Sequence, residues 1–198
     1  MTPQSSRRFF IDPSLMKGRQ ATLTGSDLHH LRDVLRLEVG DKIVLFDGSS
    51  QEHTARIEKI GKESATLSLL ESRPHISEPV LQVTLGQCVL KGSKMDLVIQ
   101  KATELGVAQI IPLISERTIA RPEGGSKNSR WQKIAVEASQ QSGRAAVPQI
   151  EAPESFSKFI KSPHSQKADF DLKVLPWEGE ESKSLRDVLR GSTENPQM

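Results

Sequence analysis

Hydrophobic and polar residues alternate along the first third of the chain with the period of β-strands. The stretches that follow this pattern are residues 7–11, 20–24, 42–46, 51–60 and 64–70. Turn-forming residues lie between them, among them Pro13, Gly18, Gly48 and Gly61. About five short strands with one helix predict a small barrel, closed or nearly closed.

The helix in this region is predicted over residues 27–36, with Ser26 as its N-cap. Its apolar residues recur at helical spacing and are Leu28, Leu31, Val34 and Leu35. His29, Arg32 and Arg36 share the opposite face, where they can contact a phosphate backbone. For an isolated helix an ordinary solvated face is the favoured interpretation, because charge runs usually face solvent.

Residues 73–79 are polar and contain Pro74 and Pro79, which predicts a linker. A chain of 198 residues has room for two small domains. We therefore predict a β-rich domain at residues 1–73 and a second domain at residues 74–198.

Apolar stretches alternate with helical patterns after the linker. The predicted elements are a strand at 80–85, an apolar stretch at 88–90, a helix ending near Leu105, a strand at 108–114, a helix at 130–142, a weak helix at 155–160, a strand at 170–175 and a helix at 184–189. Ser93 and Asp96 have capping-box spacing, and Gly106 stands where a glycine ends a helix. The buried stripe predicted for the second helix is Trp131, Ile134, Ala135, Ala138 and Ser142. This alternation predicts a parallel sheet, and hence the α/β class.

Composition narrows the class of protein. The chain has a net charge of +2, which permits a nucleic-acid partner without requiring one. It has no apolar stretch of membrane-spanning length, and its polar N-terminus lacks a signal peptide. One cysteine, Cys88, excludes an intrachain disulfide and a cysteine-rich metal site. We therefore expect a cytoplasmic protein that binds neither a membrane nor a metal.

No familiar catalytic or nucleotide-binding motif is present, and residues 121–125 are predicted to be a flexible connector rather than a phosphate loop. Two helices are unusually polar. The first carries Lys94, Gln100, Lys101 and Glu104, and the second ends with Glu137, Gln140, Gln141 and Arg144. An RNA groove, a dimer interface and a solvated surface all remain open interpretations of these residues.

Several segments resemble the RsmE family, the uridine-N3 methyltransferases of 16S ribosomal RNA. They are KGSKMDLVIQKATELGV at 91–107, RWQKIAVEASQQSGR at 130–144 with Val147-Pro148 after it, and shorter matches around residues 8–10, 29–36, 40–41 and 46–48. The resemblance is collinear from about residue 7 to about residue 176. It implies a PUA-like RNA-binding barrel followed by a SPOUT methyltransferase domain, which is an α/β fold with a deep knot. It also implies S-adenosylmethionine as cofactor and a homodimer.

The resemblance also supplies candidate residues, although it assigns no catalytic residue to this chain. The implied RNA-binding positions are Arg8, Arg32, Arg36, Lys91, Lys94, Lys101, Arg117 and Arg144. Glu104 and Gln141 match motif positions near the expected dimer surface, and Leu175 with Pro176 matches a weak cofactor contact.

The sequence departs from the family in one respect. Family members continue with an apolar strand and a Gly-Pro-Glu-Gly-Gly cofactor loop, whereas this chain ends at Met198 before them. We therefore expect a truncated SPOUT domain that cannot methylate RNA alone. The alternatives are a non-catalytic RNA-binding remnant of such an enzyme and an unrelated α/β protein with a protein–protein interface.

Overall fold

A computed structural model describes residues 7–75, 78–119, 126–161, 170–176 and 179–194 of the chain. The connector predicted at residues 121–125 lies outside these ranges. The chain divides into two compact units, residues 1–156 and residues 157–198, and every strand of the described ranges lies in the first unit. No helix in these ranges has both the length and the apolar character needed to cross a membrane.

Six strands form one curled sheet in the order β1-β4-β5-β6-β3-β2. Their bounds are β1 Arg8–Phe10, β2 Met16–Lys17, β3 Gln20–Thr24, β4 Lys42–Phe46, β5 Gln51–Ile60 and β6 Ser64–Pro74. β1 pairs with β4 in parallel, and all other neighbours are antiparallel. Register shifts at Thr54/Ala55 and Ile57/Lys59 interrupt β5, as β-bulges do where a sheet curls. The five predicted strands are all present, and β2 is an additional short one.

The concave side of this sheet holds an almost entirely aliphatic core. Its fully buried members include Phe9, Leu23, Leu31, Ile43, Leu45, Ile57 and Leu67. Burial alternates along β4, where Ile43 and Leu45 are buried and Val44 between them is partly exposed. Each such side chain contributes about 1.5–3 kcal/mol when fully buried, so the core stabilises this region. We call residues 8–74 the barrel module.

The helix of the barrel module differs from its prediction at both ends. It consists of α1, Gly25–His29, and a π-helical turn over His30–Val34. Thr24 rather than Ser26 is the N-cap residue, and it makes no side-chain capping bond. Arg36 lies beyond the helix with a left-handed backbone, φ 51°. That conformation lets the buried Leu37 donate its N–H to the carbonyl of Leu31 at 3.0 Å, so the chain leaves the helix before residue 36.

The second sheet is parallel throughout, as predicted. Its elements are β7 Thr84–Cys88, α2 Lys94–Glu104, β8 Gln109–Ile114, α3 Ser126–Ser142, β9 Gln149–Ile150, β10 Glu154–Ser155 and α4 Phe156–Lys161. β8 is central, with β7 on one side and β9 and β10 on the other. The buried core between the sheet and its helices includes Met95, Ile99, Ile110, Trp131 and Ala135. We call residues 84–155 the α/β module, and the predicted fold class, α/β with a β-rich N-terminal barrel, is confirmed.

Three predicted details of this region are wrong. The first strand begins at Thr84 rather than residue 80, and Val80 is 98% exposed. Ser93 has a helical backbone, with φ −73° and ψ −4°, and makes no side-chain cap, and the Asp96 carboxylate accepts a bond from Arg130 at 2.6 Å. Ser142 is exposed, whereas Ser139 is fully buried in the stripe predicted for α3.

Gly106 ends α2 with a left-handed φ of 97°, as predicted. A Cβ atom at this position would lie 2.6 Å from Cγ of Pro79. The segment before β7 therefore packs tightly on the end of α2. This contact brings the preceding residue, Glu78, close to the same helix end.

The second unit contains most of α4 and a further helix, α5 Leu185–Glu194. Ser184 and Asp187 form the reciprocal bonds of a capping box at its start, each at 3.2 Å. The strand predicted at residues 170–175 is wrong, because residues 170–176 form neither strand nor helix. Their apolar side chains are too exposed for a sheet position, with Leu175 at 79%.

Candidate functional site

Two buried arginines lie where the barrel module meets the α/β module. Arg8, in β1, is 8% exposed, and its guanidinium is hydrogen bonded to the carboxylate of Glu52 in β5. The same guanidinium lies 5.3 Å from the centre of the Phe46 ring, and its Nη2 donates to the carbonyl oxygen of Arg144 at 3.1 Å. Arg8 therefore joins the barrel sheet to the end of α3.

Arg144 follows α3 and is 9% exposed. Its guanidinium donates to Glu78 through Nε at 3.1 Å and Nη2 at 2.9 Å. Nη1 donates to the carbonyl oxygens of Thr103 and Val107, at 2.8 and 3.2 Å, where α2 ends. Glu78 also accepts the backbone N–H groups of Ala145 and Ala146 through Oε1, both at 2.7 Å. One carboxylate and one guanidinium thus hold α2, α3 and the segment before β7 together.

Backbone and amide contacts complete this junction. Gln140 in α3 donates through Nε2 to the carbonyl oxygen of Arg8 at 2.6 Å. Val147 donates its N–H to the carbonyl oxygen of Gly48 at 3.3 Å, and Gly48 forms a β-bridge with Ala146. We call Arg8, Glu52, Glu78, Gln140 and Arg144 the buried arginine network.

Both carboxylates of this network are held in their ionised form. Burial disfavours the charge of Glu52, but the hydrogen bond and charge of Arg8, with further charge from His75 and Arg73, outweigh it and lower the pKa of Glu52. His75 Nδ1 lies 2.9 Å from Oε1 of Glu52. Burial likewise opposes ionisation of Glu78, yet the N–H of Ala146 and the guanidinium of Arg144 lower its pKa. The arginines are therefore committed to partners inside the protein.

The exposed basic residues form a different environment. A groove of about 550 Å³ runs between α2 and α3. Its lining residues include Lys94, Leu97, Gln100, Ile134, Glu137 and Gln141. One turn further along α2, Lys101 contacts Glu104 at 2.8 Å, and this contact lowers the pKa of the Glu104 carboxyl. The groove combines charged side chains with the exposed side chain of Leu97, as a contact surface does.

On the barrel module, Arg32 projects from the π-helical turn and remains partly exposed. Its guanidinium forms two bonds of 2.8 Å with the neighbouring Asp33 and longer bonds to the carbonyl oxygens of Gly61 and Lys62. Hydrogen bonding to Asp33 raises the pKa of Arg32. Arg36 is not on the same helix face, because its left-handed backbone takes it off the helix.

Apart from Arg32 and Arg36, the predicted site residues fall into three groups. Lys94 and Gln141 share the α2–α3 groove, with Lys101 and Glu104 beside it, and Lys91 and Arg117 are exposed. Leu175 and Pro176 are exposed in the second unit. Arg8 and Arg144 are buried and paired within the protein, and their contact with RNA stays a prediction.

Sequence reasoning missed the acidic partners of the two arginines. Glu78 falls in the stretch predicted to be a polar linker, although its side chain is only 14% exposed. The signal for Glu52 is its place in a strand of alternating pattern, where an inward acid implies a basic partner. The perturbed carboxyl of Asp27 was also not predicted from the sequence. Burial raises the pKa of its carboxyl, and His30 with Lys133 of α3 partly offsets that effect.

Two family models match this chain in sequence order. One described as an RNA methyltransferase PUA domain matches residues 23–70. One described as an RNA methyltransferase domain matches residues 76–196.

Relatives named ribosomal RNA small subunit methyltransferase E show the same similarity. The one from Synechocystis is 36% identical over 154 residues, and the match covers 78% of this chain and 50% of the relative. The one from Bacillus subtilis is 30% identical over 178 residues, which cover 87% of this chain and 68% of the relative. This chain thus spans from half to about two thirds of the length of these two relatives.

Solved structures resemble this structure over most of the chain. A ribosomal RNA small subunit methyltransferase E from Neisseria gonorrhoeae, bound to S-adenosyl methionine, is 35% identical with a TM-score of 0.71, over 79% of this chain and 65% of that one. A Legionella pneumophila chain, also solved with that cofactor, is 30% identical with a TM-score of 0.79, over 91% of this chain and 74% of that one.

Proposed function

The chain belongs to the RsmE family of RNA methyltransferases, and from that premise we propose that it transfers a methyl group from S-adenosylmethionine to N3 of a uridine in 16S ribosomal RNA. The observation that carries the proposal is the similarity, over 79% of this chain, to a small-subunit methyltransferase bound to S-adenosyl methionine. The relatives from Synechocystis and Bacillus subtilis are both named as methyltransferases. Their names do not favour the alternative of a non-catalytic remnant.

The predicted RNA-binding residues that lie outside the buried network are the proposed RNA contacts. They are Arg32 and Arg36 on the barrel module and Lys91, Lys94, Lys101 and Arg117 on the α/β module. Lysine and arginine bind phosphates without reading sequence, and the chain has few aromatic residues on which bases could stack. We therefore propose that these residues dock the RNA by charge and shape.

The proposal also divides the chain into domains at residues 1–73 and 74–198. The end of β6 at Pro74 and the two family matches support this division.

The reaction places clear demands on the site. N3 lies on the Watson–Crick edge, so the uridine has to leave its base pair or stack. N3 also has to lose its proton, and the charge that develops on the uracil oxygens is stabilised by nearby cations. S-adenosylmethionine supplies the electrophilic methyl group when bound. Alignment of the two reactants is then the main contribution of the protein, and the reaction calls for no metal.

Leu175 and Pro176, the proposed cofactor contacts, lie on an exposed segment and offer no cradle by themselves. We accordingly assign the described side chains to RNA docking and positioning.

The proposal includes a homodimer and a location in the cytoplasm, where ribosomal RNA is found. Glu104 and Gln141, at and beside the α2–α3 groove, are the proposed dimer contacts. Exposed Leu97 supports this assignment, because an apolar side chain between polar neighbours is common in interfaces. Light scattering coupled to size-exclusion chromatography measures the oligomeric state directly.

The decisive experiment combines cofactor binding with methyl transfer. The chain is titrated with S-adenosylmethionine in a calorimeter and then incubated with the labelled cofactor and unmethylated small ribosomal subunits. The Bacillus subtilis relative serves as positive control, and subunits already methylated serve as negative control. Saturable binding with label at uridine N3 supports the proposal. Salt-sensitive RNA binding without cofactor binding supports the remnant, and the absence of both overturns the two functions together.

A further inference from the structure

Directional polar contacts join the barrel module to the α/β module. Arg8 reaches the carbonyl oxygen of Arg144, and Gln140 reaches the carbonyl oxygen of Arg8. The two bonds run in opposite directions between β1 and the C-terminal part of α3. Apolar contacts tolerate sliding, whereas such a bonded pair fixes both a distance and an angle.

Each end of this bonded pair is itself anchored inside its own module. On the barrel side, Glu52 holds the Arg8 guanidinium and takes additional contacts from His75 and Arg73. Because Glu52 lies in β5 and Arg8 in β1, the anchor spans β4, which pairs with both strands. Movement of Arg8 relative to the barrel sheet is thereby restricted.

On the other side, Glu78 anchors the segment that carries the carbonyl oxygen of Arg144. It accepts the N–H groups of Ala145 and Ala146 and two bonds from the Arg144 guanidinium. The remaining arm of that guanidinium is bound to the end of α2. A single carboxylate before β7 thus determines where α2 and α3 end relative to one another and relative to Arg8.

We propose that Glu78 and Arg8 are positioning residues that set the orientation of the barrel module on the α/β module, so that the basic surfaces of both modules contact one RNA together. The RNA half of this statement rests on the proposed function, and the orientation half does not. Two surfaces held in a fixed relation act as a bivalent binder, in which contact by one raises the effective concentration at the other. Loosening the junction lowers affinity while the phosphate-binding side chains remain intact.

Orientation is measured first, without RNA. Spin labels at Glu63→Cys on the barrel module and Glu116→Cys on the α/β module, both exposed, are introduced in a Cys88→Ser background. Pulsed dipolar spectroscopy then gives the distribution of distances between the labels. Glu78→Gln removes the charge at the junction and is compared with Glu58→Gln, an exposed carboxylate bonded to Arg56 and Ser68 within the barrel module.

A narrow distribution is expected for the unmodified chain and for Glu58→Gln, and a broader one for Glu78→Gln. Gln140→Ala deletes one hydrogen bond between the modules and should also broaden the distribution. If Glu78→Gln does not fold, the distribution for Gln140→Ala tests the proposed orientation role. Distributions that stay narrow in both junction variants overturn the inference, even where folding stability falls.

RNA binding gives the second readout. Glu78→Gln is expected to weaken binding to small-subunit RNA on the order of tenfold, with the salt dependence of the binding constant unchanged, because every phosphate-binding side chain is still present. A reduced salt dependence would mean that Glu78 supports the phosphate-binding residues rather than orientation, and would overturn this part. If the unmodified chain binds no RNA while the distances behave as expected, the proposed function fails and the orientation role stands.

Discussion

Two arginines of this protein, Arg32 and Arg144, have the same side chain and opposite surroundings. The side chain of Arg144 is 10% exposed, and its guanidinium donates to the partly buried carboxylate of Glu78 and to two helix-end carbonyl groups. That of Arg32 is 39% exposed and pairs mainly with the residue next to it, Asp33. Both resemble family positions for RNA contact, yet only Arg32 is open to a phosphate. Burial, rather than residue type, decides which of the two guanidinium groups solvent can reach.

The energetic consequences differ accordingly. An exposed pair in solvent gains little, since water screens its charges and both side chains lose freedom when they hold one geometry. When the partner of a buried ion pair is removed, an uncompensated charge remains, and this makes buried pairs sensitive to single substitutions. We therefore expect substitution of a buried arginine to lower the free energy of unfolding strongly. Substitution of an exposed arginine should weaken RNA binding and leave the free energy of unfolding unchanged.

The largest effect is expected for Arg144→Ala. The substitution leaves the partly buried Glu78 carboxylate without its arginine and frees the carbonyl oxygens of Thr103 and Val107. We expect a loss of about 3–5 kcal/mol in the free energy of unfolding, measured by urea denaturation. Arg117→Ala, at an exposed position, should leave the midpoint close to that of the unmodified chain. Equal midpoints for the two variants would contradict the comparison.

A smaller effect is expected for Glu78→Gln, and it should depend on pH. The amide oxygen can still accept the N–H groups of Ala145 and Ala146, so we expect a loss of about 1.5–3 kcal/mol at pH 7, the contribution of a bond to a charged group. The pKa of Glu78 is lowered in the folded state from its usual value of 4.5. Its stabilising charge is therefore fully present above that value and is lost as the pH falls through the lowered pKa.

Urea denaturation of the unmodified chain and of Glu78→Gln at several pH values between about 7 and 3 tests this prediction. The difference in the free energy of unfolding between the two should be constant above about pH 5 and shrink at lower pH. Glu52 shows the same direction of pKa shift and is present in both chains, so it cancels in the difference. A difference that does not change with pH would show that shape rather than charge matters at residue 78.

Periodicity is sufficient to predict most of the fold. Alternating apolar residues identify β4 and β5 because one side of each strand is buried in a continuous core. The continuous apolar run of β8 is explained by neighbours on both of its edges and by burial of its central residues. Gly106 is predictable because a left-handed residue commonly ends a helix.

What sequence could not supply was tertiary pairing. Arg8 and Glu52 are 44 residues apart, and Glu78 and Arg144 are 66 apart, so no local pattern connects them. The prediction of where the helix of the barrel module ends was wrong for a related reason. Leu37 is drawn into the core, and Arg36 takes a left-handed conformation that is uncommon for a residue with a side chain.

The smallest effect on folding is expected for Arg32→Ala combined with Arg36→Ala. Both side chains are outside the core, so the urea midpoint should not change measurably, in contrast to Arg144→Ala. Binding to small-subunit RNA should weaken, and the slope of its salt dependence should fall by about one for each phosphate that these arginines no longer bind. Lys17→Ala with Lys42→Ala, at exposed positions of the same module, is the matched control for a change in net charge. Unchanged RNA binding, or an equal weakening in the control, would mean that Arg32 and Arg36 only face solvent. The functional distinction between buried and exposed arginines would then fail, although their energetic difference would remain.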